Sequence, residues 1–224
     1  MALVVELWRY PVKSMAGERL HSCAVAETGL DGDRRWALVD GSPNRAGKFM
    51  TIRQDERMLT YCARIAGDVV EIVTPGGEVV EMDGSLVSQL AAETSRPLTL
   101  RELEGANFDD SPVLLINVAT IDSFGAEVGL ELDRRRFRAN LYIDGFAPEE
   151  EVGWIGRRVV VGEVELEVVS RCERCVIITM DPDTTAATPE LLRALTETHE
   201  KCLGVYCQVT RPGRVSVGDP VHVV

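Results

Sequence analysis

Short runs in which hydrophobic and polar residues alternate, broken by turn-forming residues, dominate the chain. LVVELWR (3–9), RRWALVD (34–40), TYCARIA (60–66) and DVVEIVT (68–74) each read as a strand with one buried face. Pro75-Gly76-Gly77 then turns the chain into EVVEM (78–82), which predicts a hairpin. Apolar spacing of three to four, the mark of a helix, occurs in few places. SLVSQLAAET (85–94) shows it with a serine at its start, and ATIDSFGAEVG (119–129) follows the buried-looking run VLLIN. TPELLRALTETHE (188–200) carries Thr188 at a capping position and Pro189 at the first helical position. The second half returns to strands in NLYIDG, RRVVVGEVELEVVS, VYCQVT and RVSVGDPVHVV. The pattern predicts a mainly β fold with about three helices, a barrel with helical decoration. GSPNRAGK (41–48) reads as an exposed loop, and no flexible linker marks the boundary expected near residue 100.

The 224 residues suffice for one large domain or two small ones, and the net charge is −12. Such an acidic chain is a poor general binder of nucleic acid or of anionic membranes. No apolar run approaches the ~20 residues of a spanning helix. The expectation is a cytoplasmic protein whose six cysteines are reduced thiols.

Against that acidic background, positive charge gathers in a few places. DRRRFRAN (133–140) holds Arg134, Arg135, Arg136 and Arg138, and DGDRRW holds Arg34 and Arg35. YPVKSMAG adds Lys13 and Ser14, TIRQ adds Arg53, and Arg171 and Arg174 flank a cysteine pair. If alternation holds, Arg136 and Arg138 share a strand face that Asn140 continues. Guanidinium groups and hydroxyls converging on one pocket suit a phosphate or another compact anion. The competing reading is surface ion pairing with the 36 acidic side chains.

The pair lies in SRCERCVIITMDPDT (170–184), with an arginine in front of each of Cys172 and Cys175. Zinc needs two more ligands at similar spacing. Cys202 and Cys207 offer a C-x4-C, yet VYCQV puts Cys207 on one face with Val205 and Val209, which reads as core. A thioredoxin-like dithiol opens a helix, whereas this pair lies between strand-like segments. Packing is the default for a buried cysteine. Neighbouring arginines stabilise a thiolate, and a thiolate in an electropositive pocket suits a soft-leaning metal carried by an anionic cofactor.

YPVKSMAG, GDRRW, TIRQ, DSPVLLIN, FRANLYIDG, RCERC with its DPDT run, and VGDPV occur in this order from about residue 3 to the C-terminus. Together they resemble MOSC-domain proteins, in particular the branch of the mitochondrial amidoxime-reducing components and their bacterial relatives. The resemblance implies a β-rich N-terminal MOSC domain over 1–100 and a MOSC barrel over 101–224, with a molybdopterin cofactor between them. It implies that Cys175 ligates molybdenum and that Cys172 is a neighbour. Lys13, Ser14, Arg34, Ser111, Arg138, Asn140 and Arg174 are then cofactor contacts. Asp110 stands where relatives carry a threonine, and Ala139 where they carry a proline.

The implied activity is a molybdenum-cofactor-dependent reduction of N-hydroxylated compounds, such as amidoximes or hydroxylamines. Asp181, close to the cysteine pair, is the candidate proton donor. The cysteines lack a four-cysteine iron–sulfur pattern. Electrons are therefore expected from a separate partner, a cytochrome b5-like or ferredoxin-like protein with a flavin reductase. MOSC domains also occur in molybdenum cofactor sulfurases, so a non-catalytic cofactor-binding or sulfur-carrying protein is the alternative. A structural zinc protein is a third.

Overall fold

The computed structural model describes residues 1–103, 108 and 110–224. The first half begins with β1 (Leu3–Arg9), β2 (Glu18–Leu20), β3 (Ser22–Ala26), β4 (Gly29–Leu30), β5 (Trp36–Asp40) and β6 (Lys48–Phe49). It continues with β7 (Cys62–Ala66), β8 (Val69–Val73), β9 (Val79–Glu81), helix α1 (Gly84–Thr94) and β10 (Leu98–Glu102). Then come β11 (Val113–Asn117), α2 (Val118–Val128), β12 (Leu141–Asp144), β13 (Arg158–Val161) and β14 (Val164–Glu173). The chain closes with α3 (Glu190–His199), β15 (Cys202–Arg211), β16 (Gly213–Ser216) and β17 (Val221–Val223).

An eight-stranded sheet in the order β17-β13-β14-β15-β11-β12-β1-β2 forms the frame. β11 and β12 run parallel across α2, and the other pairings in this sheet are antiparallel. Among the described residues no continuous ladder closes it into the expected barrel. Instead Val4 N–H donates to Asp219 O and Val221 N–H to Ala2 O, both at 3.0 Å, stitching β1 to the approach of β17. β3 pairs with β16 and β4, so the first thirty residues share sheets with the second half. β5, β6 and β10 form one smaller sheet, and β7, β8 and β9 another.

Burial explains the strand patterns. Val113 and Leu115 of β11 enter a core with Val4, Leu7, Val205 and Cys207, as the alternation around Cys207 predicts. Leu114 and Ile116 point the other way, into a core with Ile121 and Phe124 of α2 and Leu191 and Leu195 of α3. A strand covered on both faces reads as a continuous apolar run, which is why VLLIN does not alternate. A third core gathers Val12, Met15, Leu38, Met50, Ile72, Leu86 and Leu90 with Met180 from the second half. The cleft described below is lined by Leu114, Phe137 and Cys172 of the second core and by Ile52 of the third.

Local chemistry sets the element ends. α1 is capped by Asp83, two residues before the serine that starts the helical pattern; its carboxylate accepts from Ser85 N (2.8 Å) and Leu86 N (3.0 Å). Pro189 has helical dihedrals (φ −59°, ψ −24°) at the start of α3, while Thr188 N–H donates to Thr179 O. The segment DRRRFRAN is not the strand that alternation predicts. Asp133 accepts from Arg135 N (2.8 Å), and Arg134–Phe137 curls into a 3-10 turn that buries Phe137. Arg138 then takes a left-handed φ of 54°. Arg136 and Arg138 consequently do not share a strand face: Arg136 reaches Thr179 O (3.1 Å) and Asp181 (3.3 Å), while Arg138 lines the cleft. Among the described residues no helix is long and apolar enough to cross a membrane.

Candidate functional site

Lys13, Ser14, Arg34, Ser111, Arg138, Asn140, Arg174 and Cys175 line one cleft of about 560 Å³. They come from the turn after β1, the loop before β5, the segments before β11 and β12, and the end of β14. Among the described residues, seven cationic side chains (Lys13, Arg34, Arg53, Arg138, Arg171, Arg174 and Lys201) and two carboxylates (Asp110 and Glu173) line it. The cleft is therefore locally positive in a chain of net charge −12. Ser14 (φ 73°), Arg34 (φ 51°), Arg138 (φ 54°) and Lys201 (φ 65°) all hold left-handed backbone there. Each such non-glycine conformation costs about 1–3 kcal/mol and persists only where its surroundings enforce it.

Two residues outside the sequence expectations organise the cationic wall. Asp33 is 4% exposed; it accepts from Tyr10 N (2.7 Å) and Asn140 Nδ2 (3.2 Å) and pairs with Arg34. Asn140, 1% exposed, also accepts from Leu114 N (3.2 Å) and donates to Trp8 O (3.3 Å). Its amide is thus committed to holding the wall rather than offered to a ligand. Tyr10 lies beneath two guanidinium groups, Arg34 at 5.0 Å and Arg138 at 4.5 Å from the ring centroid. Burial pushes its phenol up to about 12. Burial also pulls the Arg138 guanidinium down to about 10, and among the described residues no carboxylate forms an ion pair with it. The only sequence signals for Asp33 and Tyr10 are their places in GDRRW and YPVKS; burial, which gives them their roles, leaves no mark of its own.

Cys175 is half-buried at the end of β14, at the start of a 3-10 turn over Val176–Thr179. Cys172 is 1% exposed and packs in the core with Phe137 and Leu203. Arg174 turns inward: Nη1 donates to Cys172 Sγ (3.0 Å) and Nη2 to Phe137 O (2.5 Å). The arginine expected to support the Cys175 thiolate therefore contacts the other cysteine. Arg171 pairs with Glu200 and donates to His199 O (2.8 Å). Ser111 Oγ donates to Asp110 (2.9 Å), and Glu173 pairs with Lys201 (2.8 Å). Ser170 Oγ, Arg171 Nε and Arg174 Nε are buried without a hydrogen-bond partner.

Asp181 lies outside the cleft lining. Its carboxylate accepts from Thr184 N (2.9 Å), Thr184 Oγ1 (2.9 Å) and Asp183 N (3.1 Å), and it pairs with Arg136. The backbone bond from Thr184 leads the causes that hold its pKa below the ordinary value, and burial opposes them. A carboxyl kept ionised as a loop cap is a poor proton donor, which corrects the role expected for Asp181.

Comparison of the sequence with known proteins matches it to a family. Residues 1–111 match the model of the MOSC N-terminal beta barrel domain, and residues 101–222 match that of the MOSC domain. Human mitochondrial amidoxime-reducing component 1 is 24% identical, over 99% of this chain and 82% of that protein. The molybdenum cofactor sulfurase of Caenorhabditis elegans is 27% identical over 92% of this chain but only 33% of that protein. Among solved structures, the YUAD protein from Bacillus subtilis aligns with a TM-score of 0.56 and 16% identity, over 100% of this chain and 96% of that one. The last is a likeness of fold alone. With both halves matched in order, the chain belongs to the MOSC family, as an N-terminal MOSC β domain joined to a MOSC domain.

Proposed function

We propose that the cleft binds a molybdopterin-type molybdenum cofactor and that the protein is an oxidoreductase acting on N-hydroxylated substrates of the amidoxime or hydroxylamine type. The observation that carries this reading is a half-buried thiol, Cys175, in a cleft where, among the described residues, seven cations face two carboxylates. The residues fit such a group. Arg138 is a guanidinium awaiting an anion, and a single accessible thiolate is a soft anchor for a metal. Among the described residues no group of three or more His, Cys, Asp or Glu side chains is placed to hold a metal ion. A metal at Cys175 therefore needs a ligand set that arrives with it, which an anionic pterin chelate provides. The same finding gives no support to the structural zinc reading.

When bound, the cofactor supplies the two-electron chemistry that removes oxygen from nitrogen. The chain contributes position and charge. Cys175 anchors the metal, and Lys13, Ser14, Arg34, Ser111 and Arg138 hold the anionic remainder. Asp33 and Asn140 fix Arg34, and Arg174 fixes the end of β14 through Phe137 O. Electrons come from a separate redox protein, cytochrome b5-like or ferredoxin-like with a flavin reductase, in the cytoplasm. A second reading, a cofactor-binding or sulfur-carrying protein without turnover, is favoured by the similarity to the Caenorhabditis elegans sulfurase.

The test is metal and pterin content after expression in a host that makes the cofactor, for wild type beside Cys175→Ala. Equimolar molybdenum and pterin, with molybdenum lost in the variant, is the expected result. Amidoxime reduction by the loaded protein with a chemical reductant then separates enzyme from carrier. Absence of both molybdenum and pterin under good loading conditions overturns the cofactor reading.

A further inference from the structure

A second cavity, of about 680 Å³, lies between β1–β2 of the eight-stranded sheet, β7 with the β8–β9 turn of a smaller sheet, and the 3-10 turn of DRRRFRAN with Pro182. Among the described residues, Arg138 is the single one that lines both this cavity and the cleft. Its size falls within the roughly 300–1,000 Å³ of small-molecule sites, and the function proposed above makes no use of it.

β1 brings two aromatic rings to the cavity. Alternate residues of a strand share a face, and Trp8 and Tyr10 do so, with centroids 6.5 Å apart and planes 17° from parallel. Trp8 Nε1 donates to Glu6 Oε2 at 2.8 Å, which satisfies the one donor of the indole and fixes the ring. Tyr10 packs against bare backbone at Gly17, where a Cβ would fall 2.5 Å from Tyr10 Cδ1. Leu59, Val73 and Pro75 extend the apolar lining. Trp8 is nevertheless only half-buried. An indole held in orientation and left open to a cavity is a stacking face for a planar ring.

The charges of the lining decide what that ring carries. Glu18 pairs with Arg9 (2.8 Å), Arg64 with Glu71 (2.7 Å) and Asp183 with Arg135 (2.6 Å). Both carboxylates of the lining are thus neutralised, and so are two of its four arginines. Among the described residues no carboxylate pairs with Arg138, or with Arg19, which is exposed and makes a long hydrogen bond to Val5 O (3.4 Å). Spare guanidinium groups without a spare carboxylate disfavour an aromatic cation and suit an aromatic anion, whose carboxylate matches the planar fork of arginine.

We propose that this cavity is a second ligand site, taking a planar aromatic carboxylate whose ring stacks on Trp8 and whose carboxylate pairs with Arg19. The assignment leaves Arg138 to the cleft and does not rest on the function proposed above.

The experiment titrates naphthoate into the full chain by calorimetry, beside naphthylmethylamine, a cation of similar size and shape. Wild type is compared with Trp8→Leu, Arg19→Gln and Arg53→Gln, each checked for an unchanged melting profile. Arg53 is an exposed cation of the cleft, so its variant reports binding there instead. Arg19 is exposed, so its variant keeps the test decisive if loss of Trp8 unfolds the chain. The expected result is saturable naphthoate binding at one site, about fivefold weaker in Trp8→Leu and in Arg19→Gln and unchanged in Arg53→Gln. The amine should bind at least about tenfold more weakly than naphthoate. Unchanged affinity in either of the first two variants overturns the site. A loss in Arg53→Gln does so too, by putting the anion in the cleft. Absence of saturable binding, or an amine that binds as tightly as the acid, has the same consequence.

Discussion

Asp33 sits behind the cleft with its side chain 2% exposed, beside an Arg34 side chain that is 15% exposed. Three donors converge on it: Tyr10 N, Asn140 Nδ2 and the Arg34 guanidinium. Replacing it with alanine takes the acceptor from Tyr10 N and the paired charge from Arg34 in a place water barely reaches, while Asn140 Nδ2 keeps Trp8 O and Arg34 keeps Asn140 Oδ1 and Arg138 O. Removing one partner of a buried ion pair costs about 3–5 kcal/mol, against about 0–1 kcal/mol for an exposed one. Asp33→Ala should therefore lower unfolding stability in urea by about 3 kcal/mol or more. A loss within about 0.5 kcal/mol, the size of an ordinary surface change, would contradict the buried network. The eight cleft residues expected from sequence were legible because each lies in a short motif with distinctive chemistry. Asp33 and Tyr10 were not, because their roles depend on what covers them. Asp181 was misread for the complementary reason: nearness along the chain to Cys175 does not make a side chain face the same cavity.

At the level of elements, legibility follows burial. β7 and β8 alternate because one face of each is covered more than the other, and the β8–β9 hairpin was visible from its Pro75-Gly76-Gly77 turn. β2, β4 and β6 have two or three residues each, too few for a pattern, and exist because a neighbouring strand supplies the ladder. The junction of α2 and α3 was also silent in the sequence, and it carries a pH dependence. The His199 ring lies between Glu127 of α2 and Glu149 of the loop after β12, edge-on to Phe124, while its carbonyl holds Arg171 and Glu200 pairs with that same arginine. Burial works against the charged ring, but hydrogen bonds to the two carboxylates outweigh it and raise the pKa above its ordinary value. A group with a raised folded pKa contributes stability fully below its unfolded value, about 6.5, and loses it as pH rises through the folded value. The melting temperature of His199→Gln should accordingly fall furthest below wild type near pH 6 and approach it as the ring deprotonates. A gap that widens with rising pH would show that the ring stabilises in its neutral form.

At the scale of the whole molecule, the local and the total charge have opposite signs. The chain carries −12, while among the described residues the cleft presents seven cations and two carboxylates. Which of these an approaching anion feels depends on distance measured in Debye lengths. A domain of this length has a radius of gyration of about 17 Å. At about 0.01 M salt the Debye length is roughly 30 Å, so an incoming anion responds to the repulsive total before it reaches the cleft. At about 0.15 M it is roughly 8 Å, shorter than the molecule, and only charges near the mouth are felt. Inside the partly desolvated cleft, attraction to Arg138 and its neighbours is screened far less. Raising salt over this range should therefore speed association of an anionic ligand while changing its dissociation little, the reverse of what a uniformly basic binder shows. Stopped-flow measurement of cofactor uptake at the two salt concentrations checks this directly. An association rate that instead falls steadily with added salt would mean that the cleft's field outreaches the acidic surface at every distance, and that steering begins in solution rather than at the mouth.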